Sequence, residues 1–351
     1  MIFLPDKLSR YVKAIAESGL SIYDTIEVGH PILWVPTLEL QEILSLRMRG
    51  TYLRGLPLRT RSKVIKQRIC QALGYPVPST FKKTRPRFPG QCFDTYAQKS
   101  NNLQIWNEEL EANRRYVLLR VSPHDQIISV RVVTGADLAL LDTTGTLTQK
   151  YQARLIRGQE AAELVTSIDT NRLAGLIRSD CKDPPAGLSP IVYPCIDYLK
   201  PISLIFACLQ TLVGTKFNIK GHDQERNRGA ALHRLICQKL GYSIYQDDGR
   251  FPDIRNQLLE IKLQTSPTID LGLVSPDSTD PLDIPQLAHQ QIRHCDVRYA
   301  LFYAVSDART IRLTNFYLTT GEEFFRRFPQ FQGRVLNKKL QIPLPSGFFA
   351  G

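Results

Sequence analysis

From Leu259 to Gln264 the chain reads LEIKLQ, and this strict alternation constrains the fold more than any other segment. In a strand, Leu259, Ile261 and Leu263 point to one face and can bury in a core, while Glu260, Lys262 and Gln264 share the other. An acid, Asp253, follows Pro252 just upstream in FPDI. Two carboxylates so placed can hold a hard divalent cation such as Mg²⁺, which prefers oxygen ligands and keeps several waters. A nearby lysine can position an attacking water and offset phosphate charge. Those are the parts that hydrolysis of a phosphodiester requires.

The pattern arises by chance in about one chain in twenty of this length, so its context must decide. The competing reading is a turn Asp followed by an edge strand whose Glu and Lys form an exposed ion pair worth little. Upstream, GHDQERNRGAALHRLICQKLGY reads as an amphipathic helix with Leu232, Leu235, Ile236 and Leu240 as its apolar stripe and Gly241 as its stop. Glu225 falls on that stripe and is expected to face the sheet; the alternative is a solvated first-turn Glu favoured by the helix dipole. Downstream, TSPTIDLGLVSPDS is rich in turns, IPQLAHQQIR suggests a helix and RYALFYAV a strand. His222 and His233 flank the candidate helix and read as packing or surface residues.

The run from Glu225 through NRG, FPDI, EIKLQ and SPTIDLG resembles the PD-(D/E)XK nuclease superfamily, and within it the type II restriction endonucleases. The resemblance covers roughly residues 200–351 and is specific at Asp253, Glu260 and Lys262, with Glu225 and Gln264 matched more loosely. It implies Mg²⁺-dependent hydrolysis of double-stranded DNA to 5′-phosphate and 3′-hydroxyl ends. Asp253, Glu260 and the Ile261 carbonyl would bind the metal, and Lys262 would act on the nucleophilic water. A homodimer and a DNA methyltransferase acting on the same site are compatible partners.

Charge points to the same substrate. The chain carries 45 Lys and Arg against 33 Asp and Glu, net +12. From Ile43 through Phe93 there is no acid and there are twelve bases, a number equal to the whole formal excess. Such a block is an electrostatic footprint for phosphates, although a basic solvated surface or a dock for an acidic protein would look alike. RTRSKVIKQRICQALGYP within it reads as a short basic helix ending at Gly74, and Arg59, Arg61 and Lys63 are expected phosphate contacts. KKTRPRFPGQCFDTYAQKSNNLQIW then mixes bases, aromatics and amides. Arg suits guanine and Asn or Gln suits adenine, so base contacts are sought in this segment, whose expected DNA-binding residues are Lys82, Lys83, Arg85, Arg87, Gln91, Gln98, Lys99, Asn101, Asn102 and Gln104. Pro86, Pro89 and Gly90 suggest a stiff loop, and the bland reading gives the amides to loop backbone and Trp106 to a core.

At 351 residues and 43% hydrophobic the chain can build two cores. No charged-then-apolar leader is present, and ISLIFACLQTLVG is too short to span a bilayer, so a soluble cytoplasmic protein is expected. Seven scattered Cys without a C-x-x-C pair indicate reduced thiols rather than zinc or disulfides. No internal repeat is evident. PDKLSRYVKAIAES and TLELQEILSLRMR read as helices, RRYVLLRV and QIISVRVV as strands, and ADLALLD as a short helix.

The expected organisation is a mixed α/β DNA-recognition domain over 1–181, a Pro-rich linker over 182–201, and an α/β (α+β) restriction-endonuclease-like core over 202–351. Residues 151–181 are the least legible stretch. The reading is a sequence-specific endonuclease. The alternatives are a repair or recombination nuclease that reads DNA structure, and a DNA-binding regulator with an inactive nuclease-like domain.

Overall fold

The computed structural model describes residues 4–53, 55–56, 58–106, 109–141, 151–178, 180–218, 224–306, 310–331 and 339–349. The chain is mixed α/β, with helices and several small sheets, and divides into two compact units. Unit 1 comprises Met1–Thr148, Asp283–Gln286 and Val335–Gly351; unit 2 comprises Gln149–Leu282 and Leu287–Arg334.

In unit 1, helix α1 (Asp6–Ser18) buries Leu8, Tyr11 and Ile15, the spacing of one helix face, and stops at Gly19 with φ 71°. Helix α2 (Thr37–Met48) follows Pro36 and buries Leu40, Ile43, Leu44 and Met48; α3 (Leu58–Leu73) stops before Gly74 at φ 86°. Strands β1 (Phe93–Gln98), β2 (Asn102–Trp106), β3 (Arg115–Val121) and β4 (Ile127–Thr134) come next. Strand β3 is the centre of the sheet β1-β3-β4, parallel to β1 and antiparallel to β4. All but one of its seven residues are buried, as a central strand covered on both faces requires. Thr134 and Asp137 then form a reciprocal capping box (3.1 and 2.8 Å) that opens α4 (Gly135–Leu140).

Unit 2 starts with β5 (Tyr151–Arg154), β6 (Ala162–Leu164) and the short α5 (Asn171–Ala174). Helix α6 (Ile202–Leu209), β7 (Lys216–Asn218) and α7 (Gln224–Lys239) lead to β8 (Leu259–Gln264), β9 (Thr268–Gly272), β10 (Arg298–Ser306), β11 (Thr310–Thr320), α8 (Phe324–Arg327) and β12 (Gln330–Phe331). The main sheet runs β6-β11-β10-β8, with β7 also on β11; β8 is parallel to β10 and β10 antiparallel to β11. Helices α6 and α7 bury Ile205, Leu209, Leu232 and Ile236 against Leu259, Phe302, Phe316 and Leu318 of that sheet. A small sheet β12-β5-β9 lies in the same unit, while β13 (Lys339–Pro343) pairs with β2 in unit 1.

Three expectations change. The Pro-rich stretch 182–201 is part of unit 2, where the Asn256 N–H donates to Pro190 O (3.0 Å) and the Lys200 N–H to Gln257 Oε1 (3.0 Å). Its prolines suit an extended wrap on a core as well as a linker. The least legible residues also belong to unit 2, which begins at Gln149. Residues 284–293 are not helical: Ala288 and His289 take φ 47° and 66°, which an α-helix of L-residues excludes, and Leu287 bridges Gln290 across a turn. No helix among the described residues is long and apolar enough to cross a membrane.

Candidate active site

Strand β8 carries the site, and the turn before it supplies the other acid. Residues Arg255–Gln257 form one turn of 3-10 helix, closed by Leu258 at φ 49°. The Ile254 N–H then donates to Leu259 O (2.9 Å) and the Leu259 N–H to Ile254 O (3.1 Å), so FPDI folds back beside the start of the strand. Asp253 is thereby brought to Glu260. Its N–H donates to Glu260 Oε2 (3.2 Å), and its own Oδ2 accepts the Ile261 N–H (2.8 Å). Lys262 Nζ lies 2.8 Å from Glu260 Oε1. The three residues expected to do the chemistry thus meet in one cluster.

The cluster is held by a buried framework. Gln257 is fully buried, accepts the Lys200 N–H, and donates to Tyr198 O (2.7 Å) and the Tyr242 hydroxyl (3.2 Å). The Arg298 N–H donates to Leu258 O (2.8 Å), and its guanidinium donates to Gln257 O (2.7 Å) and Asp169 (2.5 Å). These bonds leave the turn little freedom, because breaking any of them strands a buried polar group.

Burial pushes the Asp253 carboxyl well above the ordinary carboxylate range, and the Glu260 charge adds to that push. Burial acts to lower the Lys262 ammonium, but the adjoining Glu260 outweighs it and the net shift is upward. Lys262 is therefore a cation here, suited to orient a water or a phosphate oxygen rather than to take a proton. Asp253 and Glu260 repel each other and both present hard oxygens. A divalent cation between them would remove the repulsion, so the residues fit a Mg²⁺ site. Among the described residues no group of three or more His, Cys, Asp or Glu side chains is placed to hold a metal. The two acids would need the Ile261 carbonyl and water to complete a shell.

Other expected residues are placed differently. Gln264 is half-buried two residues along the same face, opposite Tyr303 of β10. Glu225 lies in the first turn of α7, and its side chain is outside the described residues, as are His222 and the Arg59 side chain. Sequence reasoning missed one neighbour, Tyr299, and read another, His233, only as a packing or surface residue. His233 of α7 is buried, its proton affinity lowered by that burial against the pull of Asp247 and Glu260, and its Nε2 has no hydrogen-bond partner among the described residues. The Tyr299 hydroxyl is raised well above its usual range by burial and by Glu260. Only the closeness of α7 and β10 to β8 reveals them.

In unit 1, Lys63, Lys82, Lys83, Arg85, Lys99, Asn101, Asn102 and Gln104 are exposed. Arg61 is held by both oxygens of Asp125 (2.8 and 3.0 Å), which Lys99 also meets (2.8 Å). Gln98 donates to Ser100 O (3.2 Å). Gln91 is a correction: it is buried, accepts the Val35 N–H (3.1 Å), and donates to Leu33 O (2.7 Å) and the Tyr75 hydroxyl (3.0 Å). It is a framework residue and cannot reach a base edge. Arg87 is tied to Asp94 (2.9 Å), and the expected stiff loop contains a turn of 3-10 helix at Pro89–Gln91.

Compared with protein-family models, with curated proteins and with solved structures, the chain has no match.

Proposed function

We propose that the chain is a Mg²⁺-dependent endonuclease of double-stranded DNA, with a restriction-endonuclease-like core in unit 2. The observation that carries this reading is the meeting of Asp253, Glu260 and Lys262 at the start of β8, with the turn acid bonded to the strand acid. Asp253, Glu260 and the Ile261 carbonyl would hold the cation, which when bound stabilises charge on the scissile phosphate. Lys262, as an ammonium, orients the attacking water and balances the phosphate. The exposed bases of unit 1 supply affinity for the backbone, since phosphate contacts position a protein whatever the sequence.

Site-specific cutting, as in a type II enzyme, is the finer reading. A structure-selective nuclease on the same core gains from the burial of Gln91 and the pairing of Arg87, which remove two of the expected base readers. Digestion of long sequenced duplex DNA with Mg²⁺ separates the readings. Discrete fragments with common ends support site-specific cutting, and nicks confined to branched or mismatched DNA support structure selection. Binding without cutting would leave a DNA-binding protein with an inactive nuclease-like domain and overturn the proposal.

A further inference from the structure

The two units share residues and hydrogen bonds that a common physical need does not explain. Helix α3 ends in ICQALGY (Ile69–Tyr75) and α7 runs into ICQKLGY (Ile236–Tyr242), with Gly74 and Gly241 both left-handed at φ 86° and 93°. The Tyr75 N–H donates to Cys70 O (2.9 Å) and the Tyr242 N–H to Cys237 O (3.0 Å). Each tyrosine hydroxyl then accepts from one buried glutamine, Gln91 or Gln257. Each glutamine bonds the strap before a helix in the same way, accepting from Val35 or Lys200 and donating to Leu33 or Tyr198. In each case the next residue is a proline, Pro36 or Pro201, at the head of α2 or α6.

The likeness continues through the sheet. Cys92 (φ 47°) and Leu258 (φ 49°) close equivalent 3-10 turns before β1 and β8. Their parallel partner strands, β3 and β10, open with RYVL at Arg115 and RYAL at Arg298; the arginine N–H donates to Cys92 O (2.9 Å) or Leu258 O (2.8 Å), and its guanidinium donates to the glutamine carbonyl. Arg115 pairs with Thr134, which precedes Gly135, and Arg298 with Thr320, which precedes Gly321. A Cβ at either glycine would come within 2.0 or 2.3 Å of a backbone carbonyl oxygen, so both positions exclude any side chain.

Aligned on these bonds, Arg87 stands where unit 2 has Asp253, Asp94 where it has Glu260, and Tyr96 where it has Lys262. The backbone bond that joins the catalytic acids recurs: the Arg87 N–H donates to Asp94 Oδ1 (3.0 Å), as the Asp253 N–H does to Glu260 Oε2 (3.2 Å). The charge is reversed. The Arg87 guanidinium pairs with Asp94 Oδ1 (2.9 Å), Arg114 takes Oδ2 (3.1 Å), and Asp94 is fully buried. Both oxygens that could face a cation already face arginines. Lys66, three residues before Ile69, takes the place of His233, three before Ile236; burial and Arg87 both lower its proton affinity, so the two cations lie near each other.

We propose that unit 1 is a second copy of the fold that carries the active site, one that has exchanged its cation for Arg87 and holds a phosphodiester without cutting it. The copy depends on no reading of function; the exchanged cation and the phosphodiester rest on the proposed nuclease. Arg87 is 37% exposed, so one side of the guanidinium remains open to an anion while the other neutralises Asp94. The chain then has one cutting centre.

The test counts Mn²⁺ bound to the full-length chain by electron paramagnetic resonance, beside melting curves. Wild type is expected to bind Mn²⁺ and Asp253→Ala/Glu260→Ala to bind none. Adding Arg87→Asp, Asp94→Glu, Tyr96→Lys and Arg114→Val, the last matching Val297 of unit 2, to that double variant is expected to restore one site. A converted chain that melts like its parent and takes up no Mn²⁺ overturns the proposal, as does Mn²⁺ bound by the double variant and released by Asp94→Ala. Wild type without Mn²⁺ overturns the nuclease reading and the exchange of a cation for Arg87 together, and leaves only the repeated fold.

A second measurement does not depend on the converted chain folding. In EDTA, Arg87→Gln is expected to weaken duplex DNA binding about tenfold, the effect of losing one charge-assisted contact, and Arg87→Lys to retain most of it. Arg114 still pairs with Asp94 in both variants. Arg87→Gln with wild-type affinity overturns the phosphate-holding role.

Discussion

Asp253 donates its backbone N–H to the Glu260 carboxylate at 3.2 Å while its own carboxyl is buried beside that acid. Geometry thus enforces a repulsion that sequence distance would otherwise relax. In EDTA, Asp253→Asn is expected to raise the melting temperature by about 2–4 °C, since it removes one of two like charges and its amide oxygen can still accept the Ile261 N–H. Mg²⁺ is expected to raise the melting temperature of wild type and to leave the variant unchanged. Calorimetry with and without Mg²⁺ checks both; a variant that melts below wild type in EDTA would mean that the acids do not strain the fold.

The exposed bases of unit 1 predict a salt effect. Neutralising Lys63, Lys82 and Lys83 together is expected to weaken binding to all duplexes alike and to reduce the salt slope by about one unit per lost phosphate contact. Arg61→Gln is expected to change the slope less, because Asp125 already holds that guanidinium. Binding titrations at several salt concentrations give the slopes, and an unchanged slope in the triple variant places those lysines away from DNA.

Two of the three buried thiols, Cys70 and Cys237, predict a pattern of reactivity. Burial pushes Cys70 up to about 11 and Cys237 up to about 12, whereas Cys195 is exposed. The thiolate is the reactive form, so at pH 8 roughly one Cys70 in a thousand is ionised. Alkylation at pH 8 is expected to label Cys195 first, and Cys70 and Cys237 only on unfolding. Both folded-state values lie above the ordinary thiol range, so these groups favour folding less as pH rises through that range. Peptide mass mapping of labelled native protein checks the order; early labelling of Cys237 would place it outside the core.

Much of unit 2's site was legible because it is local. Alternation in LEIKLQ marks a strand, and a strand fixes Glu260 and Lys262 on one face. The closeness of Asp253 was legible only by resemblance, since it depends on Leu258 at φ 49°, which no propensity of leucine foretells. Gln91 was misread because an amide among arginines and aromatics looks like surface; its partners are Leu33 and Tyr75, which only the fold brings near. The expected helix over 284–293 had apolar spacing but is set by left-handed Ala288 and His289. The likeness between units is not legible in the sequence because its identical residues are few and separated by segments of unequal length. ICQALGY and ICQKLGY each read alone as an ordinary helix end.

The most direct test of the central claim is conversion of supercoiled plasmid, with DNA binding measured in parallel, by wild type and by Asp253→Ala, Glu260→Ala and Lys262→Ala. Wild type is expected to linearise or nick the plasmid with Mg²⁺ and to do neither in EDTA. The two acid variants are expected to lose cleavage, and Lys262→Ala to fall by about 10²–10⁴-fold, all three with near wild-type affinity for DNA. Cleavage at wild-type rate by Asp253→Ala or Glu260→Ala, or by wild type in EDTA, would contradict the account.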